Sequence, residues 1–372
     1  LNPLTGLYLF PRDNDYAYFS KYYQLFSTER NMYLQNWHVS DHFQSNPEWI
    51  VKNQKREDLT KRIISNVSAE IGIAEHLKLQ LRGSYDYAIK TNEKKNKAGS
   101  NATNVHENGS WDYQKYTDEL IYADALLTYS NNFDGLSLDA VLGSSYQKST
   151  YGLGLSVSTG TTGLIYPNEF SFQNINPNVQ VLSTLDSRLI KEGIFGNIQL
   201  GYKEKLFMDI SGRNDWASSL YGTGNDSYFY PSFGLTGILS NMIKLPEFIS
   251  FGKLRGSYTI VGNEVPFNKV RQNNTITTSG VEYNTTKPFT NLKPEMIHSM
   301  EFGADWRLFK GLIGIDFTLY NIKSKDQFIS LPAPSGSGYT DYFVNAGEIV
   351  NKGIEIAISS NIFTSNIRSF DS

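Results

Sequence analysis

Cysteine is absent from this sequence of 372 residues. Without thiols the chain has no disulfide framework, no thiolate metal site and no cysteine nucleophile. It also lacks any apolar run approaching the roughly 20 residues that a membrane-spanning helix needs. Its 34 basic and 37 acidic residues nearly balance, so no basic surface indicates nucleic acid as a partner.

Catalytic constellations are missing as well. The five histidines are scattered, and although His38 and His42 have a spacing that would suit a metal on a helix, their segment lacks a helical period. The stretch Gly222–Gly224 resembles half of a phosphate loop, but no strand–helix unit follows it. The sequence therefore predicts no enzyme, no bound metal and no cofactor.

Aromatic residues and glycine are abundant instead. The chain has 24 Tyr, 22 Phe and 30 Gly. Tyrosine suits a position where one end of the side chain is apolar and the other is wet, as at the surface of a bilayer.

Apolar and polar residues alternate with a period of two along most of the chain. Residues 77–87 show this alternation most clearly, with Leu77, Leu79 and Leu81 separated by Lys78 and Gln80. The same alternation recurs in residues 63–73, 136–147, 194–203, 299–308 and 313–319. It is typical of strands with two unlike faces.

The connections between these strands alternate in length. We predict eleven strands between residues 62 and 360, with short turns at 75–76, 131–135, 203–205, 240–250 and 309–311. Long polar loops fall at about 90–110, 150–190, 215–228, 263–293 and 324–341. Short turns at one end and long loops at the other are typical of an all-β, antiparallel, up-and-down transmembrane β-barrel.

A soluble β-sandwich also has alternating strands. However, the predicted strands run about 12–18 residues, whereas strands of soluble proteins usually have 5–6. Two rival functions stay open, namely a passive porin of similar architecture and a soluble β-rich adhesin or glycan-binding module.

Several motifs resemble the SusC/RagA-type TonB-dependent transporters of Gram-negative Bacteroidota and occur in the order of that family. They are Asn2–Pro11 (NPLTGLYLFP), Asn46–Trp49 (NPEW), Phe195–Tyr202 (FGNIQLGY) with Gly212–Asp215 (GRND), Tyr230–Ser232 (YPS) with Lys253–Tyr258 (KLRGSY), Asn291–Glu295 (NLKPE), Tyr320–Asp326 (YNIKSKD) and Asn345–Glu355 (NAGEIVNKGIE).

This resemblance implies a multi-pass outer-membrane barrel of 22 strands, of which eleven would be about half. Residues 1–61 would form an extracellular loop region with little regular structure, residues 62–360 the barrel strands, and residues 361–372 the start of a further strand. The plug domain of the family is expected to lie outside this sequence.

The resemblance also implies function and partners. The parent protein is expected to import glycan or peptide oligomers and to contact membrane lipid. A SusD-like surface lipoprotein would cover the loops, and the TonB complex would act through the missing N-terminal region.

Two sets of residues are predicted to meet the cargo. Aromatic and amide groups in the loops suit sugars and peptides. The loop candidates are Trp216, Tyr221, Asn225, Tyr228, Tyr166 and Phe170. The candidates for the polar, lumen-facing side of the strands, which would touch plug or cargo, are Arg82, Asp139, Gln199, Arg213 and Arg255.

Overall fold

The fold is dominated by one large antiparallel sheet. The computed structural model describes residues 2–179, 181–266, 269–270, 274–277, 280–289 and 291–360. The predicted start of a further strand at 361–372 lies outside the described residues. The long strands are β3 (Gln54–Ala74), β4 (Leu77–Lys97), β5 (Gly109–Phe133), β6 (Leu136–Ser158), β8 (Ser187–Tyr202), β9 (Leu206–Ala217), β10 (Ser227–Ile238), β11 (Ile249–Asn263), β15 (Glu295–Leu308), β16 (Ile313–Lys325) and β19 (Glu348–Ser360).

Shorter elements lie before and between these strands. They are α1 (Pro3–Tyr8), α2 (Tyr16–Lys21), β1 (Gln24–Ser27), β2 (Met32–Gln35), α3 (Pro47–Asn53), β7 (Val181–Thr184), α4 (Leu239–Met242), β12 (Thr275–Thr277), β13 (Gly280–Glu282), β14 (Thr286–Lys287), β17 (Phe328–Pro332) and β18 (Asp341–Asn345), together with three short 3₁₀ segments.

The order of strands in the sheet follows the order of the chain. From one edge to the other it reads β3, β4, β5, β6, β8, β9, β10, β11, β15, β16, β19, with the short β7 paired to β6 outside this path. Within the described residues the sheet thus has eleven strands of twelve residues or more, which confirms the predicted number and the up-and-down topology.

Turn positions agree closely with the prediction. The connections 75–76, 134–135, 203–205 and 309–312 are short, whereas 98–108, 159–186, 264–294 and 326–347 are long. The Asp134–Gly135 turn has φ values of 42° and 89°, the left-handed geometry that matches the twist of a two-residue hairpin. The exception to the alternation is the 239–248 connection, which holds the helical turn α4 and is no shorter than the 218–226 loop.

The first long strand begins earlier than the sequence predicts, at Gln54 instead of near residue 62. Residues 54–58 (QKRED) are polar on both faces, so the alternation that marks the rest of β3 is missing there. A strand that continues beyond the apolar layer of a membrane has no reason to keep one face apolar, and its pattern no longer distinguishes it from a loop.

The two faces of the sheet differ in chemistry. One row across the ladder joins Ile198, Ile210, Phe233, Tyr258 and Met300; the adjacent row joins Gln199, Asp209, Gly234, Ser257 and Glu301. We call the first side the apolar face and the second side the polar face.

Side chains of the apolar face are exposed. Val67 is 71% exposed, and Ile63, Ile71 and Ile73 are also exposed. A soluble sandwich would have buried these side chains in its core, so the structure excludes that alternative.

By its contacts the chain divides into two compact units. Unit 1 comprises residues 1–64, 85–120 and 149–188. Its core lies around Trp49, whose indole Nε1 donates to Ser100 Oγ at 2.9 Å. The buried Asn46 accepts from Glu48 N at the start of α3 and donates to the carbonyls of Phe19 and Asn36, both at 2.8 Å.

Unit 2 comprises residues 65–84, 121–148 and 189–372. Within its described residues, a hydrophobic cluster joins the ends of strands to the loops that follow them. The buried members of this cluster are Ala217, Leu220, Tyr228, Val265, Val270 and Leu292. The loops of this unit are thus held together by a core of their own.

Candidate functional site

Arg82 and Asp124 form a paired group on the polar face of unit 2. The guanidinium donates two hydrogen bonds to the carboxylate, from Nε at 2.9 Å and from Nη2 at 2.6 Å, and Tyr122 Oη donates a third at 2.8 Å. The Asp124 side chain is fully covered, whereas Arg82 is 47% exposed. The group therefore presents hydrogen-bond donors to solvent and hides its negative charge.

Arg213 organises a second group on the same face. Its Nε lies 2.7 Å from Asp215 Oδ1, its Nη2 donates to Ser145 Oγ at 2.9 Å, and its charge lies 4.9 Å from the centre of the Phe195 ring. Tyr230 Oη donates to the other oxygen of Asp215.

Gly193 leaves room for this group. A Cβ atom at Gly193 would lie 2.3 Å from Arg213 Nη2 and 2.4 Å from Asp215 Oδ1. A side chain at this position would therefore displace the ion pair from its present geometry.

The remaining polar-face candidates are also paired. Arg255 donates to both oxygens of Asp316 at 3.1 and 3.2 Å and to Thr318 Oγ1 at 2.7 Å. Asp139 accepts from Ser130, and Gln199 donates to Asp209. All five predicted lumen-facing residues thus lie on the polar face, although in separate groups, and their contact with plug or cargo stays a prediction.

The loop candidates of unit 2 separate into different environments. Tyr221 is 65% exposed. The amide of Asn225 donates to the Leu292 carbonyl at 3.1 Å, which ties two loops together. Tyr228 is buried in the hydrophobic cluster, so its ring supports the loops from inside.

Trp216 lies on the apolar face, because it is six positions from Ile210 along β9 and side chains alternate between the faces of a strand. An aromatic side chain at the loop end of the apolar face suits the interface girdle of a membrane strand. This placement favours a lipid contact over a cargo contact for Trp216.

Tyr166 and Phe170 belong to the 159–186 loop of unit 1. Tyr166 is well exposed. Phe170 is half-buried, and the Lys95 ammonium lies 5.8 Å from the centre of its ring. Tyr166 therefore offers a free aromatic face, whereas Phe170 already contacts a strand.

Asparagine side chains hold the loops of both units, and the sequence motifs did not identify this role. In unit 2, Asn345 accepts from Lys293 N at 2.8 Å and donates to the carbonyls of Lys293 and Asp326 at 2.9 and 2.8 Å. In unit 1, the buried Asn101 donates to the carbonyls of Asp41 and Gln44 at 2.7 and 3.0 Å. Each of these amides links segments that are far apart in the chain.

Asp41 is fixed at the same place in unit 1. Its carboxylate accepts from the Gln44 side chain at 3.0 Å and from the backbone N–H groups of Phe43 and Gln44 at 2.8 and 2.9 Å. These hydrogen bonds, led by that of the Gln44 amide, hold the pKa of Asp41 below its ordinary value.

Neither a metal-binding cluster nor a membrane-spanning helix is found in the described part of the chain. Over those residues, no three His, Asp or Glu side chains come together as a metal site. No helix there is long and apolar enough to cross a bilayer.

Comparison with known proteins gives a consistent result. A family model described as "TonB dependent receptor-like, beta-barrel" matches residues 2–371. TonB-dependent receptor P3 of Formosa agariphila is 27% identical over 270 residues, which cover 68% of this chain and 26% of that protein. TonB-dependent receptor P26 of the same organism is 26% identical over 245 residues, which cover 62% of this chain and 24% of that protein. The chain thus spans about a quarter of the length of these relatives.

Among solved structures, the fold resembles a chain of the RagAB peptide transporter. The TM-score is 0.76 at 18% identity, and the match covers 89% of this chain and 37% of that chain. The RagAB peptide importer in its "open-open" state gives a TM-score of 0.73 at 17% identity, with 90% and 37% coverage. At this identity the likeness concerns the fold.

Proposed function

Because the chain belongs to the TonB-dependent receptor-like β-barrel family, we propose that it forms the middle of the barrel wall of an active importer of oligomeric nutrients. The family comprises transporters and receptors of the outer membrane and not enzymes. The cargo of the full-length protein is a glycan or a peptide. RagAB, whose fold is similar, is described as a peptide transporter.

The sheet with two unlike faces is the observation that carries this proposal. Its apolar face exposes a continuous row of large side chains, as contact with lipid requires. Its polar face carries the arginine groups of Arg82, Arg213 and Arg255, which remain partly exposed and able to bond further acceptors. A wall of this kind separates hydrocarbon from a polar interior.

Partners follow from the same proposal. A SusD-like surface lipoprotein covers the long loops, and the TonB complex acts through a region N-terminal to this chain in the full-length protein. The cell is a Gram-negative bacterium of the Bacteroidota. Tyr221 and Tyr166 are the proposed cargo contacts, because exposed rings can stack on sugars or on peptide side chains.

Uptake by cells that carry the full-length gene tests the proposal. Labelled oligosaccharides and oligopeptides are offered to wild-type cells, to cells without the gene and to cells without TonB, with the corresponding monomers as a control. We expect uptake of one oligomer class to need both the gene and TonB. Uptake that needs the gene but not TonB would instead show a passive porin.

One tyrosine variant and one tryptophan variant test which loop residues contact the cargo. Tyr221→Ala is expected to reduce oligomer uptake without changing the heat-resistant mobility of the folded barrel in gels. Trp216→Ala, on the apolar face, is expected to leave uptake unchanged. The reverse result would contradict the assignment of the two sides.

A further inference from the structure

Arginine side chains lie over glycines on the polar face of unit 2. A Cβ atom added to Gly303 of β15 would lie 2.5 Å from Nε, 2.9 Å from Cζ and 3.0 Å from Cγ of Arg255. Arg255 belongs to the adjacent strand β11, where it is paired with Gly303. Its side chain therefore occupies the space that the Cβ atom of any other residue at 303 would take.

The Arg255 side chain extends over three neighbouring strands. It leaves β11, crosses Gly303 on β15 and donates to Asp316 and Thr318 on β16. Because adjacent strands are about 4.8 Å apart, its acceptors belong to a strand about 10 Å away. A side chain that covers this distance runs along the sheet instead of projecting from it.

Two further arginines have the same arrangement. A Cβ atom at Gly193 of β8 would overlap Nη2 of Arg213, whose guanidinium crosses from β9 to Ser145 on β6 at 2.9 Å. A Cβ atom at Gly314 of β16 would overlap Nη1 of Arg307, its partner in the β15–β16 register. We call the three glycines the arginine seats, namely Gly193, Gly303 and Gly314.

Aromatic rings also lie over glycines, but on both faces of the sheet. Phe195 lies over Gly143 on the polar face, and Phe229 lies over Gly212 on the apolar face. Pairs of a ring and a glycine therefore do not distinguish the two faces. Within the described residues of unit 2, the arginine seats all belong to the polar face.

The arginine seats weaken the strands that contain them, because glycine loses more conformational freedom on folding than any other residue. Their φ values lie outside the left-handed region, so the backbone conformation does not require glycine at these positions. What each seat provides is room for a guanidinium against the sheet. The three arginines remain partly exposed, so they form the surface of the polar face.

We propose that the arginine seats are positioning residues of the transport path. They hold the guanidinium groups along the polar face and thereby keep this face clear for a bulky oligomer that moves past it. Gly193 is paired with Asp215 toward the loop end of the sheet, whereas Gly314 is paired with Arg307 toward the turn end. The path is thus kept clear at more than one depth. This inference rests on the transport of oligomers in the proposed function.

Reaction of arginine with phenylglyoxal, located by peptide mapping of the full-length protein in detergent, tests the geometry. Gly303→Ala puts a Cβ atom in the place of the Arg255 side chain, which is flexible and is expected to leave the wall. We expect Arg255 to react severalfold faster in this variant than in the wild type. Gly234→Ala is the matched control, because Gly234 lies on the same face and its added Cβ would meet only Asp209, at an ordinary distance of 3.6 Å.

Unchanged reactivity of Arg255 in Gly303→Ala, or an equal increase in the control, overturns the proposal. Gly314→Ala, read at Arg307, repeats the test should Gly303→Ala not show the heat-resistant mobility of a folded barrel.

Uptake by cells tests the role of the arginine seats in transport. The labelled oligosaccharides and oligopeptides carry either a small isotopic label or a bulky fluorophore. At equal amounts of folded barrel, Gly314→Ala is expected to lower uptake of the fluorophore-bearing oligomer more than uptake of the isotopically labelled one. The double variant Gly314→Ala, Arg307→Ala removes the displaced side chain and should restore uptake. A merely structural role predicts an equal loss for both labels, so an equal loss, or no recovery in the double variant, overturns the proposal.

Failure of this inference is distinguishable from failure of the proposed function, because the phenylglyoxal reaction needs no cargo. Wild-type cells with TonB-dependent uptake, together with seat variants that behave as wild type, would contradict the arginine seats alone. A wild type without TonB-dependent uptake would contradict the proposed function, even where the reactivity of Arg255 changes as expected.

Discussion

Arg82→Ala should destabilise the barrel more than Arg62→Ala, although both arginines donate two hydrogen bonds to an aspartate of the polar face. The difference lies in the partner. Asp124 is fully covered, so removing Arg82 leaves a buried carboxylate with only the Tyr122 hydroxyl as a donor. Asp86 keeps access to water when Arg62 is removed, since the Arg62 side chain is 54% and the Asp86 side chain 19% exposed.

The magnitudes follow from burial. Breaking a fully buried ion pair by removing one partner costs about 3–5 kcal/mol. Because Arg82 is itself half exposed and its removal admits water to Asp124, we expect Arg82→Ala to cost less, about 1–3 kcal/mol, the cost of leaving a covered acceptor without its partner. An exposed pair contributes about 0–1 kcal/mol, so Arg62→Ala should cost less than about 1 kcal/mol.

Reversible urea unfolding of the intact protein in lipid vesicles measures both free energies, with tryptophan fluorescence and heat-resistant mobility as independent signals. The double variant Arg82→Met, Asp124→Leu removes both charges and should recover most of the loss, to within about 1 kcal/mol of wild type. Equal costs for the two single variants, or a double variant less stable than Arg82→Ala, would refute the reasoning.

Three further outcomes are expected. Ile198→Arg places a charge on the apolar face and should lower the free energy of unfolding by about 2–4 kcal/mol near the bilayer midplane. Gln199→Arg, on the polar face of the same strand, should be tolerated. Equal losses of stability in the two variants, measured by unfolding in vesicles, would contradict the assignment of the faces. Asn101→Ala should speed hydrogen exchange in residues 41–46 without changing that of the barrel strands, because it removes two donors to that segment. The Gln44 hydrogen bond holds the pKa of Asp41 below its ordinary value of 3.8. The stabilisation of this loop by the Asp41 carboxylate should therefore be complete above pH 3.8 and lost as the pH falls through the lower folded-state pKa. Hydrogen exchange in residues 41–46 that does not become faster on acidification would contradict this expectation.

Local pattern was sufficient to predict the strands of the membrane-facing part. In residues 77–87 and 299–308 a period of two and a polar turn specify both the strand and its two faces. The same information fails where the pattern stops. Residues 54–61 and 90–97 are strand, although the sequence predicts loop there, because a strand beyond the apolar layer can be polar on both sides.

The candidate site was predictable only in part. The polar-face arginines follow directly from the alternation, and the structure places all of them on that face. The burial of Tyr228 depends instead on Val265 and Leu292, which lie far from it in the chain. No local signal at residue 228 distinguishes a ring that supports the loops from a ring that meets cargo.

The sequence by itself determined the class of the fold, the number of long strands, the positions of most turns and the side of the sheet that faces lipid. These properties depend on interactions between near neighbours in the chain. Only the tertiary structure decided how the loops are held, as with Asn345 and Asn101, and which carboxylates are covered. Those properties depend on contacts between residues distant in the chain, and a hydrogen-bonding side chain carries no local mark of the partner it will meet.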